Sequence, residues 1–350
     1  MNYLEWMCKE TETKWWHDSA IPGEIDKAIE YGALGVTTNP VLTFKALQAD
    51  PSYWEERIAA IPQSVQGSDR VEAVMKVIAT EAAEKFRNIY EKTNKTHGYA
   101  LAQVNPSDAG HTEAMLAQGL RYASWADNIA VKLPTVKATL PVIEELASRG
   151  IAICTTLNFT VSQARAASIA YERGLQKAKN KGIEVKPCWI VQQGGRLDDY
   201  LAEVVSDNRL TQISYEDIQN AGNAVCKRSY QVLQEMGSSA VIMPAGLRGT
   251  HHLTAMAGAK MVFSLQARVQ YMVIEDDPPR IEHFDEPVDS EVIQRLMEID
   301  EFARAYEPDG IKEEDFIKFG VTQRTLSQFL WTGWAPLETY GSTALSNRWF

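Results

Sequence analysis

Cysteine is scarce in this 350-residue chain: Cys8, Cys154, Cys188 and Cys226 stand far apart, with no C-x-x-C pair among them. That spacing excludes a disulfide framework and a cysteine-rich zinc site, and it points to a reducing, cytoplasmic setting. Long apolar runs are also missing. None approaches the roughly 18 residues needed to cross a bilayer, and Met1-Asn2-Tyr3-Leu4-Glu5 lacks the basic stretch followed by an apolar one that opens a secretory signal. Positive charge is in deficit, with 35 Lys and Arg against 46 Asp and Glu for a net charge of −11. Nucleic acid and anionic membrane are therefore poor partners, and a small anion needs a basic pocket of its own. The chain holds no G-x-G-x-x-G, Walker loop or H-E-x-x-H, so no cofactor or metal is expected. Internal repeats and low-complexity tracts are absent as well.

What is present is alternation. With 45% hydrophobic residues the chain can bury a large core. Strand-like segments fall at Lys14 to Ala20, Gly35 to Pro40, Ala100 to Asn105, Asn128 to Leu133, Ile151 to Leu157, Lys186 to Val191, Ala240 to Ala245 and Lys260 to Leu265. Helical patterns separate them, which is the signature of a parallel sheet with crossover helices. Eight such units predict an α/β fold, a (β/α)8 barrel spanning residues 1–273. Residues 50–97, rich in Ala, Glu and Lys, read as a two-helix insertion after the second strand. Residues 274–350 read as a helical C-terminal extension on the barrel, with a helical pattern from Ser290 to Tyr306. Its aromatic cluster, Phe329, Leu330, Trp331 and Trp334, is expected to pack on the barrel wall or to form a contact between copies in a homo-oligomer.

One charge interrupts the apolar run Asn128-Ile129-Ala130-Val131-Lys132-Leu133-Pro134. Strand alternation places Ile129, Val131 and Leu133 on one face and Ala130 and Lys132 on the other. Either Lys132 snorkels to solvent at the strand end, or it is hidden and does chemistry. A lysine stripped of water gives up its proton more readily, and the free amine attacks carbonyl carbon. Barrel active sites lie at the C-terminal strand ends. There the sequence places Asp18 on the first strand, Asn39 on the second, Gln103 and Asn105 on the third, Lys132 on the fourth and Thr156 on the fifth.

The motifs His17-Asp18-Ser19-Ala20, Gly35-Val36-Thr37-Thr38-Asn39-Pro40, Ala102-Gln103-Val104, Val131-Lys132-Leu133-Pro134 and Thr156-Leu157-Asn158-Phe159-Thr160-Val161-Ser162-Gln163-Ala164 occur in this order. Together they resemble the transaldolase family, which comprises transaldolases and the fructose-6-phosphate aldolase type, class I Schiff-base enzymes on a (β/α)8 barrel. The likeness runs from Lys14 to about Ala267 and fails over the insertion and the tail. It implies Lys132 as the Schiff-base lysine, Asp18 as the acid that moves a proton at the reacting hydroxyl, Asn39 as the amide holding donor hydroxyls, and Thr156 as the hydroxyl orienting a water. Gln103 stands where transaldolases carry a glutamate and is closer to the aldolase-type branch. A glutamine positions water but accepts no proton. Arg196 and Arg248 match the two phosphate-binding arginines, although Val191 and Gln193 depart from the serine and aromatic that precede the first.

Each residue also has a plainer reading. Asp18 caps a helix, Asn39 makes a turn before Pro40, Thr156 bonds backbone, and the two arginines form surface ion pairs. Neighbouring His251 and His252 point about 100° apart on a helix and do not make a metal site. The resemblance implies transfer of a three-carbon dihydroxyacetone unit from a ketose phosphate to an aldose phosphate. The alternatives are an aldolase releasing free dihydroxyacetone, and a sugar-phosphate-binding barrel without catalysis.

Overall fold

Residues 1–342 are described by a computed structural model in which parallel strands close into a barrel. The strands are β1 (Lys14–His17), β2 (Ala100–Gln103), β3 (Ile129–Pro134), β4 (Ile153–Asn158), β5 (Cys188–Gln192), β6 (Val241–Pro244) and β7 (Val262–Leu265). β2 to β6 pair in order, β1 pairs with β7, and β6 packs beside β7. The remaining stave has shrunk to Val36, which bridges His17 of β1 and Ala100 of β2. Eight staves in one direction make the (β/α)8 barrel.

The segment expected as a full second strand is reduced to the bridge at Val36. Gly35 still pairs, its carbonyl accepting from the His17 amide at 2.9 Å, and any Cβ on Gly35 would lie 2.5 Å from the Trp16 ring. At the C-terminal end, Asn39 caps the Pro40–Ala49 helix, so the extended run stops after Thr38.

Side-chain parity sorts the strands into two layers. Trp15, Ala102, Val131, Leu133, Ile153, Ile190 and Phe263 face the surrounding helices. Trp16, Leu101, Ala130, Cys154, Trp189, Val191 and Met243 fill the interior. Trp16 and Trp189 lie 4.5 Å apart between ring centroids, and Tyr99 meets Trp189 at 5.1 Å. This aromatic plug closes the N-terminal half of the barrel, with each pair contributing about 1 kcal/mol beyond simple burial. A cavity opens at the C-terminal strand ends.

Several elements differ from the sequence pattern. A helix precedes β1: Tyr3–Glu10, closed by a reciprocal cap between Asn2 and Glu5, buries Tyr3, Leu4 and Met7. The insertion contains three helices, Pro51–Ala59, Gly67–Lys85 and Arg87–Lys92. The expected helix from Ser290 to Tyr306 is two, Ser290–Leu296 and Asp300–Tyr306. Beyond them the Gly320–Phe329 helix runs through a wider π-turn, Leu330–Trp334, into Ala335–Leu337. Trp334 is buried beside Trp54 and Ala46, and Phe329 is buried too, whereas Trp331 is exposed. The Arg295 guanidinium fixes the tail to the Tyr215–Glu235 helix by gripping Asp217 at 2.7 Å, which holds that carboxyl down at about 2. Residues 343–350 of the expected extension lie outside the described residues.

Candidate active site

Lys132 lies on β3 with its neighbours in register on both sides, Gln103 on β2 and Cys154 on β4. The side chain is only 4% exposed, so it does not snorkel into solvent. Its Nζ has one hydrogen bond, to the Thr38 carbonyl at 3.3 Å. Burial pushes the Cys154 thiol up to about 12, so the sulfur beside the amine stays neutral and offers no competing thiolate.

Asp18 follows β1 and turns inward by the same alternation that buries Trp16. Its Oδ1 accepts from the Thr37 hydroxyl at 2.6 Å. Thr37 has one hydrogen to give, so Ser264 of β7, 2.7 Å away, donates to Thr37. The relay Ser264 to Thr37 to Asp18 fixes one carboxylate oxygen and leaves the other free. Behind it, burial lowers the pKa of His17, whose Nδ1 accepts from Gln270 at 2.8 Å. His17 faces the helical layer as a neutral ring.

The Thr37-Thr38-Asn39-Pro40 run thus has three separate duties. Thr37 orients Asp18, and the Thr38 carbonyl holds Lys132. Asn39 Oδ1 accepts from the Leu42 amide at 3.0 Å, which commits the oxygen to the helix cap and leaves the Nδ2 donors for the cavity that Asn39 lines. Capping and ligand binding are compatible here because they use opposite ends of one amide.

Thr156 is fully buried on β4, and its hydroxyl accepts from Gln193 Nε2 at 3.4 Å. Leu157, at φ 60°, then breaks the strand register. That strained turn is braced by Gln163, whose Nε2 donates to the carbonyls of Leu157 and Thr135 at 2.8 and 2.9 Å. The buried oxygens Gln103 Oε1 and Gln193 Oε1 have no protein partner. Two amide acceptors and a hydroxyl around the amine can hold water without a second carboxylate.

Asp18, Asn39, Lys132, Val191, Gln193, Arg196 and Ser264 line one cavity of about 90 Å³. Asp18 is the one carboxylate in that lining. Wider hollows of about 450 to 520 Å³ lie on the outer helical layer; the buried amine among their linings, Lys227, is spent on the carbonyls of His283, Phe284 and Glu286.

Four expected site residues lie outside this lining: Gln103 and Thr156, buried beside it on β2 and β4, and Asn105 and Arg248, which are engaged elsewhere. Asn105 Oδ1 accepts from the Ser107 amide and hydroxyl at 3.0 and 2.8 Å, so it shapes the turn after β2. Arg248 is held by Asp199 at 2.6 and 3.0 Å and by the Gly246 carbonyl at 2.6 Å, so it makes the surface ion pair. Arg196 does reach the cavity, and burial together with the Arg248 charge lowers its pKa. Gly195 lets the two loops touch, since a Cβ there would meet the Gly246 carbonyl at 2.3 Å. The glycines serve loop packing. His252 braces the same loops: its Nε2 lies 2.7 Å from buried Asp198, and its Nδ1 accepts from the Arg248 amide at 3.3 Å.

Sequence reasoning missed Ser264, Gln266, Lys45 and the tail residues Gln328 and Phe329, all of which line the cavity. Position at the end of β7 could have flagged Ser264 and Gln266. No local signal marks Gln328 or Phe329.

Residues 15–321 match the family model described as transaldolase/fructose-6-phosphate aldolase. The chain belongs to this family. It is similar to transaldolase 1 of Streptomyces avermitilis, 30% identical over 65% of this chain and 62% of that protein. The transaldolase of Renibacterium salmoninarum is 30% identical over 68% of this chain and 66% of its own. That of Saccharopolyspora erythraea is 33% identical over 45% and 43%. The chain therefore spans less than two thirds of the length of these relatives. Among the described residues, no helix is long and apolar enough to cross a membrane.

Proposed function

We propose that the chain is a transaldolase that moves a three-carbon dihydroxyacetone unit from a ketose phosphate to an aldose phosphate through a Schiff base on Lys132. The observation that carries this reading is a buried amine sharing a small cavity with one carboxylate, in a member of this family. Lys132 attacks the C2 carbonyl, and loss of water leaves an iminium that draws electrons from the C3–C4 bond. Asp18, with one oxygen held by Thr37, takes the C4 hydroxyl proton as that bond breaks. The aldehyde departs and a three-carbon enamine remains on Lys132. Asn39 Nδ2 holds its hydroxyls, and Thr156, Gln103 and Gln193 position the water for proton transfer and imine hydrolysis. An acceptor aldehyde then captures the enamine carbon.

A second reading has its own support. Gln103 supplies an amide where a carboxylate would favour transfer, and the unpartnered Gln103 and Gln193 oxygens suit a held water that protonates and hydrolyses the enamine. That enzyme would release free dihydroxyacetone. We further assign catalysis to the barrel, residues 1–273, with residues 274–350 as its extension, acting in a reducing compartment such as the cytoplasm.

Fructose 6-phosphate assayed with and without erythrose 4-phosphate separates the two readings. Transfer predicts product only with the acceptor; free dihydroxyacetone in both reactions favours the aldolase. Borohydride reduction in the presence of ketose should add covalent mass at Lys132. Its absence would leave only a binding barrel.

A further inference from the structure

One hollow of the outer layer, between the Tyr215–Glu235 and Thr250–Thr254 helices and the loop at 283–289, shares no lining residue with the Lys132 cavity. Its volume is about 450 Å³, within the range of roughly 300 to 1,000 Å³ that small-molecule sites occupy. The lining carries unspent polar atoms. Asn223 is only 2% exposed, yet its Oδ1 has no partner, and the buried Nε2 of His251 has none either. Buried polar atoms are paired in the great majority of cases, so two orphans in one lining call for an occupant. Burial, with the His252 ring beside it, holds His251 at about 4, so this imidazole is neutral and brings no charge of its own.

Charge selects the occupant. Glu216, Glu286 and Asp289 line the hollow against a single ammonium, that of Lys227. Lys227 is already spent, donating to the carbonyls of His283, Phe284 and Glu286 at 3.1, 3.0 and 2.5 Å. Arg295, whose charge also acts on Asp289, grips Asp217 at 2.7 Å instead. Glu216 is exposed and has no ion pair among the described residues, and Glu286 meets only an imidazole, His283 Nδ1 at 3.0 Å. Among the described residues no three His, Cys, Asp or Glu side chains come together closely enough to hold a metal ion. Carboxylates set apart in this way fit a cation whose charges are set apart too.

We propose that this hollow binds a linear diamine or polyamine, with ammonium groups on Glu216, Glu286 and Asp289 and an N–H on the Asn223 oxygen, as a site separate from the Lys132 cavity. It does not depend on Schiff-base chemistry.

The test is calorimetric titration of the full chain with spermidine and putrescine, and with 1,4-butanediol as an uncharged mimic, at about 0.15 M salt where diffuse surface attraction is screened. Spermidine should bind saturably at one site per chain and more tightly than putrescine, and butanediol should not bind. One lost charge-assisted contact is worth about tenfold in affinity. Glu216→Gln and Glu286→Gln, both surface changes, should therefore each weaken spermidine about tenfold. Asn223→Ala should weaken it as well. Because the adjoining Gly222 packs against the Gly194 backbone, that variant is read beside its melting curve, and Glu216→Gln decides if it does not fold. Two controls should stay within twofold of the parent: Glu56→Gln, an exposed carboxylate outside the hollow, and Asp18→Asn in the other cavity. The proposal is overturned if the parent shows no saturable binding, if butanediol binds as well as spermidine, or if Glu216→Gln binds as the parent does. Equal loss in Glu56→Gln or Asp18→Asn would overturn it too, since the amine would then be held by diffuse surface charge or by the Lys132 cavity.

Discussion

Replacing Lys132 with methionine should abolish chemistry and at the same time stabilise the fold. The side chain is 96% buried and its nitrogen satisfies one donor, at 3.3 Å to the Thr38 carbonyl. Its remaining donors have no protein partner, and a buried unsatisfied donor costs about 1–3 kcal/mol. Methionine has nearly the same length and shape and removes that cost, although it forfeits the Thr38 bond, worth about 1 kcal/mol. The net gain is about 1 kcal/mol. Unfolding entropy near 2.1 cal/mol/K per residue gives about 0.7 kcal/mol/K for a chain of this size, so the melting temperature should rise by about 1.4 °C. Calorimetry measures that shift, and a coupled carbon–carbon cleavage assay measures the lost activity. Residual cleavage in Lys132→Met would refute the role of the amine. A melting temperature below that of the parent would refute the claim that the amine sits at a thermodynamic cost for the sake of function.

Other substitutions probe separate links. Asp18→Asn should slow cleavage by about 10²- to 10⁴-fold while borohydride trapping at Lys132 persists, because the carboxylate is assigned to proton movement after the imine forms; equal loss of both would place Asp18 at an earlier step. Gly35→Ala forces a methyl to within 2.5 Å of the Trp16 ring and should destabilise by about 1–3 kcal/mol in urea titrations, with an unchanged midpoint contradicting the packing described. Burial holds both His97 and His251 at about 4, below the roughly 6.5 of an unfolded histidine. The unfolded chain therefore takes up protons that the fold refuses, and stability present above pH 6.5 is lost as pH falls towards 4. Urea midpoints at pH 7, 5.5 and 4.5 should decline in that order, and His97→Gln should flatten the decline.

The barrel was legible because its signals are local and repeated. Alternation along Ala130 and Lys132, or Cys154 and Thr156, needs only a pleated backbone to decide which residues face inward. The inward lysine and aspartate could be read the same way. The second strand was not, since Asn39 looks like a strand end but is consumed by a helix cap. Asn105 and Arg248, expected at the site, lie outside the cavity lining for a related reason. Their types fit a ligand site, yet Ser107 and Asp199 claim them, and a sequence does not show which neighbour wins a polar group.

Residue order alone determined the parallel (β/α)8 frame and the inward placement of Lys132 and Asp18 at its C-terminal strand ends. Only the tertiary structure decided what surrounds them. Gln328 lies 132 residues from Arg196 in the chain, and Lys45 belongs to another helix again, yet all three face one cavity. Contacts of that kind depend on how helices dock. Docking is set by the summed burial of many side chains such as Phe329 and Trp334, which leaves no periodic trace near the residues it brings together.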